Sequence, residues 1–154
     1  MEVARNLVGE GKGEEMLPRS FHWAPITARR FVDLHAKGGT DDYFSSDYTD
    51  AELEDRLGHV GNVPASSSSL SSSSRRKVLV AFSGADQYVP EHVDKPRLTQ
   101  RLVDAMNSGS DDDVAVVAES LYIDNGDHNL STESDAKVFV DRVAELLEKA
   151  ASGK

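Results

Sequence analysis

Two short apolar runs stand out from a mostly polar chain: Val78-Leu79-Val80-Ala81-Phe82 and Leu121-Tyr122-Ile123. Continuous apolar runs bounded by turn residues predict buried strands, covered on both faces and flanked by neighbours. Each run opens into a glycine-containing loop. The first is Ser83-Gly84-Ala85-Asp86-Gln87-Tyr88-Val89-Pro90, and the second is Asn125-Gly126-Asp127-His128-Asn129-Leu130. Between the runs, Asp94 predicts a helix cap ahead of Lys95-Pro96, with Leu98, Leu102, Ala105 and Met106 as the buried stripe. Residues 114–118 read as a helical or irregular lead-in to the second strand. Thr132-Glu133-Ser134-Asp135 resembles a capping box, and Val138, Phe139, Val143, Leu146 and Leu147 give the last helix a wide apolar face. Strand, helix, strand in this order predicts a right-handed parallel crossover.

The first part of the chain has helical periodicity only. Val3, Ala4, Leu7 and Val8 share one face of a helix over residues 2–10, and Phe31 and Leu34 share a face over residues 27–37, with Gly38-Gly39 as the stop. Residues 41–48 read as an ordered polar loop with aromatic insertions. Thr49-Asp50-Ala51-Glu52 is a capping box opening a short helix that carries Leu53 and Leu57. From Gly61 the sequence becomes serine-rich, which buries almost nothing and predicts a surface loop. The expected organisation is therefore a helical segment over 1–60, a serine-rich loop over 61–76, and a βαβα portion over 77–150. A chain that opens on a helix and supplies only two strands for an α/β sheet is expected to lack the N-terminal half of its fold, or to borrow a neighbouring strand at the sheet edge.

Composition narrows the partners. The 154 residues carry a net charge of -10, with -3 in residues 1–76 and -7 in residues 77–154. Such a surface repels phosphate backbones and anionic lipid, which argues against nucleic acid and membrane. There are no cysteines, which excludes disulfides and thiolate catalysis. No run reaches signal-peptide or membrane-spanning length, so a soluble, cytoplasmic protein is the expectation.

The candidate chemistry lies on the two strand-end loops. An acid on one and a histidine on the next, 42 residues later, match the order of the second half of a Ser…Asp…His triad. Asp86 would accept a hydrogen bond from the His128 Nδ1–H, and His128 would work as a general base through Nε2. The same residue types also fit a turn-capping aspartate and an exposed loop histidine. No G-x-S-x-G occurs in the sequence, so no serine is read as the nucleophile. His22, His35, His59 and His92 are scattered without metal-ligand spacing, and Asp124-Asn125-Gly126-Asp127 lacks the pattern of a calcium loop. No metal and no organic cofactor are implied.

Several segments together resemble a little-characterised family of fungal and plant α/β-hydrolases, some of which are siderophore esterases. They are Leu17-Pro18-Arg19, Pro25-Ile26-Thr27-Ala28-Arg29-Arg30-Phe31, Asp41-Asp42-Tyr43-Phe44-Ser45-Ser46-Asp47, residues 83–90, and Asp127-His128-Asn129-Leu130-Ser131. The resemblance implies the C-terminal part of an α/β-hydrolase fold, with parallel strands and flanking helices. It implies Asp86 as triad acid, His128 as triad base, and a small-molecule ester as substrate of the full-length parent. It places residues 41–47 in the region covering an active site. The family's early strands, oxyanion loop and nucleophile elbow have no counterpart here, so the 154 residues alone are expected to be inactive. A non-catalytic remnant, or a small acidic interaction domain, is the alternative.

Overall fold

The computed structural model describes residues 1–61, 77–109 and 118–152. The chain divides into two compact units, Met1–Asp47 and Tyr48–Lys154.

In the first unit, α1 spans Glu2–Gly9 and α2 spans Ala28–His35. Thr27 caps α2 by accepting the Arg30 N–H at 3.2 Å. Ala4, Leu17, Ile26, Ala28 and Phe31 form the core, and Phe21 meets Phe31 edge-on at 5.8 Å. The stripe expected through Phe31 and Leu34 is displaced: Leu34 is exposed, and Ala28 joins Phe31 inside. The helix also stops before its glycines. Ala36 is buried in extended conformation, and Gly38 turns the chain at φ 81°. An added Cβ at Gly39 would stand 2.3 Å from the Asp33 carbonyl oxygen, so the returning backbone lies directly on α2.

The second unit contains α3 (Asp50–Leu57), a 3₁₀ turn (Gly58–Val60), β1 (Val78–Ser83), α4 (Lys95–Asn107), β2 (Ala118–Ile123) and α5 (Glu133–Ser152). The capping box at Thr49 forms in both directions: its hydroxyl accepts the Glu52 N–H, and the Glu52 carboxylate accepts the Thr49 N–H at 2.7 Å. The Asp94 cap forms as expected on the Arg97 N–H at 3.0 Å.

The strands pair in parallel, in a register running from Val78 opposite Ala118 to Ser83 opposite Ile123. The second strand starts three residues earlier than its apolar run, because Glu119 faces α5 and pairs with Arg142 there. Ala118 thus belongs to a strand and not to a lead-in; residues 114–117 lie outside the described residues, as does most of the serine-rich segment.

One sheet face is well covered. Val78, Val80 and Phe82 pack against a core of Leu98, Leu102, Val103, Ala105 and Met106 from α4, with Leu53 and Leu57 from α3 and Tyr48. Asn107 fastens the far end of this layer: its amide oxygen accepts the Ala118 N–H at 2.9 Å and its amide nitrogen donates to the Ala118 carbonyl at 3.0 Å. Cover on both faces, expected from the continuous run, is not found among the described residues. Ala81 is exposed, and α5 buries none of its residues, leaving Leu147 66% accessible. No helix among the described residues is long and apolar enough to cross a membrane.

Replacing Asn107 by Ala removes both bonds to Ala118 and orphans a half-buried peptide group. The expected loss is about 1–3 kcal/mol, read as a lower urea midpoint at unchanged slope in a denaturation curve followed by circular dichroism.

Candidate active site

Both glycine-containing loops leave the sheet at its carboxyl edge, because parallel strands in register end side by side. They are then laced by backbone hydrogen bonds. The Gly84 N–H donates to the Ile123 carbonyl at 2.8 Å, and the Ala85 N–H donates to the Gly126 carbonyl at 2.9 Å. This closeness explains Gly84: a Cβ there would stand 2.4 Å from the Asp124 carbonyl oxygen and 2.8 Å from the Tyr122 hydroxyl. Gly126 is held by the same logic, with Leu130 Cδ2 only 2.8 Å from the place of its missing Cβ.

On this frame, His128 Nδ1 lies 2.9 Å from Asp86 Oδ2. An ionised carboxylate only accepts, so Nδ1 carries the hydrogen. The other oxygen, Oδ1, accepts the Tyr88 N–H at 2.8 Å. The turn-capping role and the histidine-orienting role are thus filled by one side chain, one oxygen each. The pair is asymmetric in exposure: the Asp86 side chain is 15% accessible and that of His128 is 52%. Among the described residues no hydrogen bond engages His128 Nε2.

The three residues Asp86, Gln87 and Tyr88 all touch His128. The Gln87 amide oxygen accepts the His128 backbone N–H at 3.4 Å, and the Tyr88 ring meets the imidazole edge-on at 4.9 Å between centroids. The histidine loop has its own internal brace. Asp127 Oδ1 accepts the Asn129 N–H at 3.1 Å and the Ser131 N–H at 2.8 Å. The turn that results holds Leu130 at φ 50°, a conformation most non-glycine residues avoid.

Electrostatics follows from these contacts. Burial pushes the Asp86 carboxyl up. Hydrogen bonds from His128 and the Tyr88 N–H, with the charges of His128 and Lys95, outweigh it and hold the group below its ordinary value of 3.8. Asp127 is also held below 3.8, first by the Ser131 hydroxyl and N–H, which outweigh the opposing effect of burial, and then by the Asn129 and Leu130 N–H groups.

The structure thus brings Asp86 and His128 together. Gln87 and Tyr88 carry no sequence signal beyond standing next to Asp86. The other histidines are less scattered than their spacing suggests: His22 and His35 meet edge-on at 5.6 Å in the first unit, with His35 stacked on Phe31 at 4.4 Å. The acidic loop of that unit uses its charges locally. Asp41 pairs with Arg30, and Asp42 accepts the Gly38 N–H at 3.0 Å, beside a cavity of about 410 Å³ lined by His35, Tyr43, Phe44 and Asp47 among others.

A family model described as a protein of unknown function, DUF1749, matches residues 1–148. The chain is similar to the fusarinine C esterase sidJ of Aspergillus fumigatus, with 34% identity over 119 residues, 73% of this chain and 31% of that protein. It is similar to a UPF0613 protein of Schizosaccharomyces pombe, with 28% identity over 105 residues, 65% of this chain and 31% of that one. Among solved structures it resembles the siderophore hydrolase EstB from Aspergillus fumigatus. The TM-score is 0.63 at 28% identity, over 99% of this chain and 47% of that one. The chain therefore spans less than half the length of the relatives it matches.

Two outcomes are expected from the loop geometry. Gly84→Ala places a methyl group into the Asp124 carbonyl and forces the loops apart, at a cost of about 1–3 kcal/mol or more, seen as a lower melting temperature. Acid sensitivity follows from the two carboxyls. Their folded values lie below 3.8, so the stability they give is complete above that pH and is lost as pH falls through the folded values. The melting temperature should hold down to about pH 4 and then drop. Asp127→Asn should melt lower at neutral pH with a shallower acid limb, both read by circular dichroism across a pH series.

Proposed function

The chain belongs to the DUF1749 family, and we propose that it forms the acid-and-base portion of an ester-cleaving α/β-hydrolase, with Asp86 as the acid and His128 as the base of a Ser-Asp-His triad. The observation that carries this reading is the 2.9 Å contact from His128 Nδ1 to Asp86 Oδ2, at the carboxyl ends of two paired parallel strands. The relatives named as an esterase and a hydrolase support the reaction class. The substrates in their names, fusarinine C and a siderophore, support a small-molecule ester for this chain too.

In this mechanism Asp86 fixes the imidazole with its hydrogen on Nδ1, which leaves the lone pair on Nε2. Nε2 takes the proton from an attacking hydroxyl as the oxygen bonds to the ester carbonyl. Asp86 stabilises the imidazolium that forms, without itself taking the proton. The imidazolium then returns the proton to the leaving alkoxide as the carbon–oxygen bond breaks. A water molecule repeats the cycle to release the acid. The nucleophile and the oxyanion donors are assigned to no residue of this chain, whose sequence has no G-x-S-x-G. Most of the transition-state stabilisation therefore has to come from another part of the hydrolase fold.

The exposed apolar residues of α5, and the pairing of β1 with one strand among the described residues, favour a second reading, in which the chain docks on another polypeptide without catalysing anything.

A chimera separates the two. This chain is substituted for the aligned portion of the Aspergillus siderophore hydrolase and assayed with p-nitrophenyl butyrate. Turnover is expected, falling by about 10³-fold or more with His128→Ala and by about 10⁴-fold with Asp86→Asn. A folded chimera whose turnover ignores both substitutions excludes the catalytic assignment.

A further inference from the structure

We propose that Lys95 is a positioning residue for the acid loop: its ammonium clamps the backbone on both sides of Ala85 and thereby holds the Asp86 carboxylate against His128. The inference rests on the acid-and-base reading given above.

Lys95 is the first residue of α4, where a cation is out of place. The exposed N–H groups of a first turn carry partial positive charge, and the Asp94 carboxylate engages one of them, that of Arg97. The side chain leaves the helix end instead. Its Nζ donates to the Gly84 carbonyl at 2.7 Å and to the Asp86 carbonyl at 3.0 Å, reaching back 11 and nine residues. These are charge-assisted bonds in a half-buried setting, the stronger kind.

The base of the lysine is fixed as well. Thr99, only 2% exposed, donates its hydroxyl to the Lys95 carbonyl at 2.8 Å. The residue is thus tied to α4 at its backbone and to the acid loop at its tip. On the other side, the Gly84 and Ala85 N–H groups are tied to the histidine loop. The Gly84 and Ala85 N–H groups and the Gly84 and Asp86 carbonyls are thus all engaged, which fixes the backbone that carries the Asp86 side chain. Without the ammonium, the Gly84 carbonyl loses its Lys95 donor, the Asp86 carbonyl keeps only the long 3.4 Å bond from the Val89 N–H, and the segment carrying Asp86 is free to rotate away from the imidazole.

The test reads the imidazole itself. In the ¹⁵N-labelled full chain, long-range proton–nitrogen correlations report which ring nitrogen of neutral His128 bears the hydrogen. A free imidazole favours Nε2–H; the Asp86 contact selects Nδ1–H. Wild type should show Nδ1–H, and Asp86→Ala should lose it. Lys95→Met, with similar length but no charge and no donors, should lose most of it, and Lys95→Arg should retain it. If Lys95→Met keeps the wild-type pattern while Asp86→Ala loses it, Lys95 does not position the acid and the proposal fails. If Asp86→Ala also keeps the pattern, the acid–base pairing itself is wrong and both readings fall together. Should Lys95→Met lose its helical circular-dichroism signal, Lys95→Leu, which also lacks charge and donors, is read by the same criterion.

Discussion

Parallel registry between β1 and β2 decides everything that happens at their carboxyl ends. With Ser83 opposite Ile123, the two chains leave the sheet at one level, and the loops that follow are forced into contact. A slip of one residue along the ladder would move the loops by about 3.3 Å and turn every side chain to the other face. Val78, Val80 and Phe82 prevent that slip, because only the present register keeps all three against α4. The hydrophobic packing of one sheet face is therefore what sets the distance between a carboxylate and an imidazole that stand 42 residues apart. The loops then add their own conditions. Gly84 must lack a side chain for the approach to be possible at all, and Leu130 must accept a left-handed backbone for the histidine loop to close.

The exposure of the pair limits what it contributes to folding. An ion pair with one partner half in water contributes at most about 1 kcal/mol to folding. The structure nonetheless devotes Gln87, Tyr88, the Asp127 brace and the Lys95 clamp to it. Such an investment of contacts around an energetically minor bond is better understood as control of orientation. The direction of the asymmetry fits as well. The carboxylate is the covered member and the imidazole is the open one.

Local rules made much of this legible in the sequence. Thr49 with Glu52 and Asp94 with Pro96 announce helix starts through chemistry confined to a few residues, and both caps form. The stripe of α4 is legible because every one of its large apolar residues, Leu98, Leu102, Val103 and Met106, is buried. What stayed hidden depended on tertiary partners. Leu34 has the spacing of a core residue, yet α2 rotates to bury Ala28. Glu119 and Ser120 mask the first half of β2, and only the pairing of Glu119 with Arg142 on α5 reveals why a charge sits there. At the site, the order acid-then-histidine pointed to Asp86 and His128. Lys95 read merely as the start of a helix, since nothing in a linear sequence shows that its side chain points backward by 11 residues.

The last helix carries the argument beyond the pair. Its sequence promises a broad buried face, but Val138, Phe139 and Leu147 remain exposed beside a sheet of two strands. Apolar surface of this kind is unfavourable in water by about 25 cal/mol per Å², and the described residues leave these three side chains uncovered. Contact there would change the chemistry. In open solvent the Asp86–His128 attraction is weakened by the high dielectric constant of water, whereas under cover it strengthens several-fold. Loss of water around the pair would therefore tighten the hold of the Asp86 carboxylate on the His128 ring.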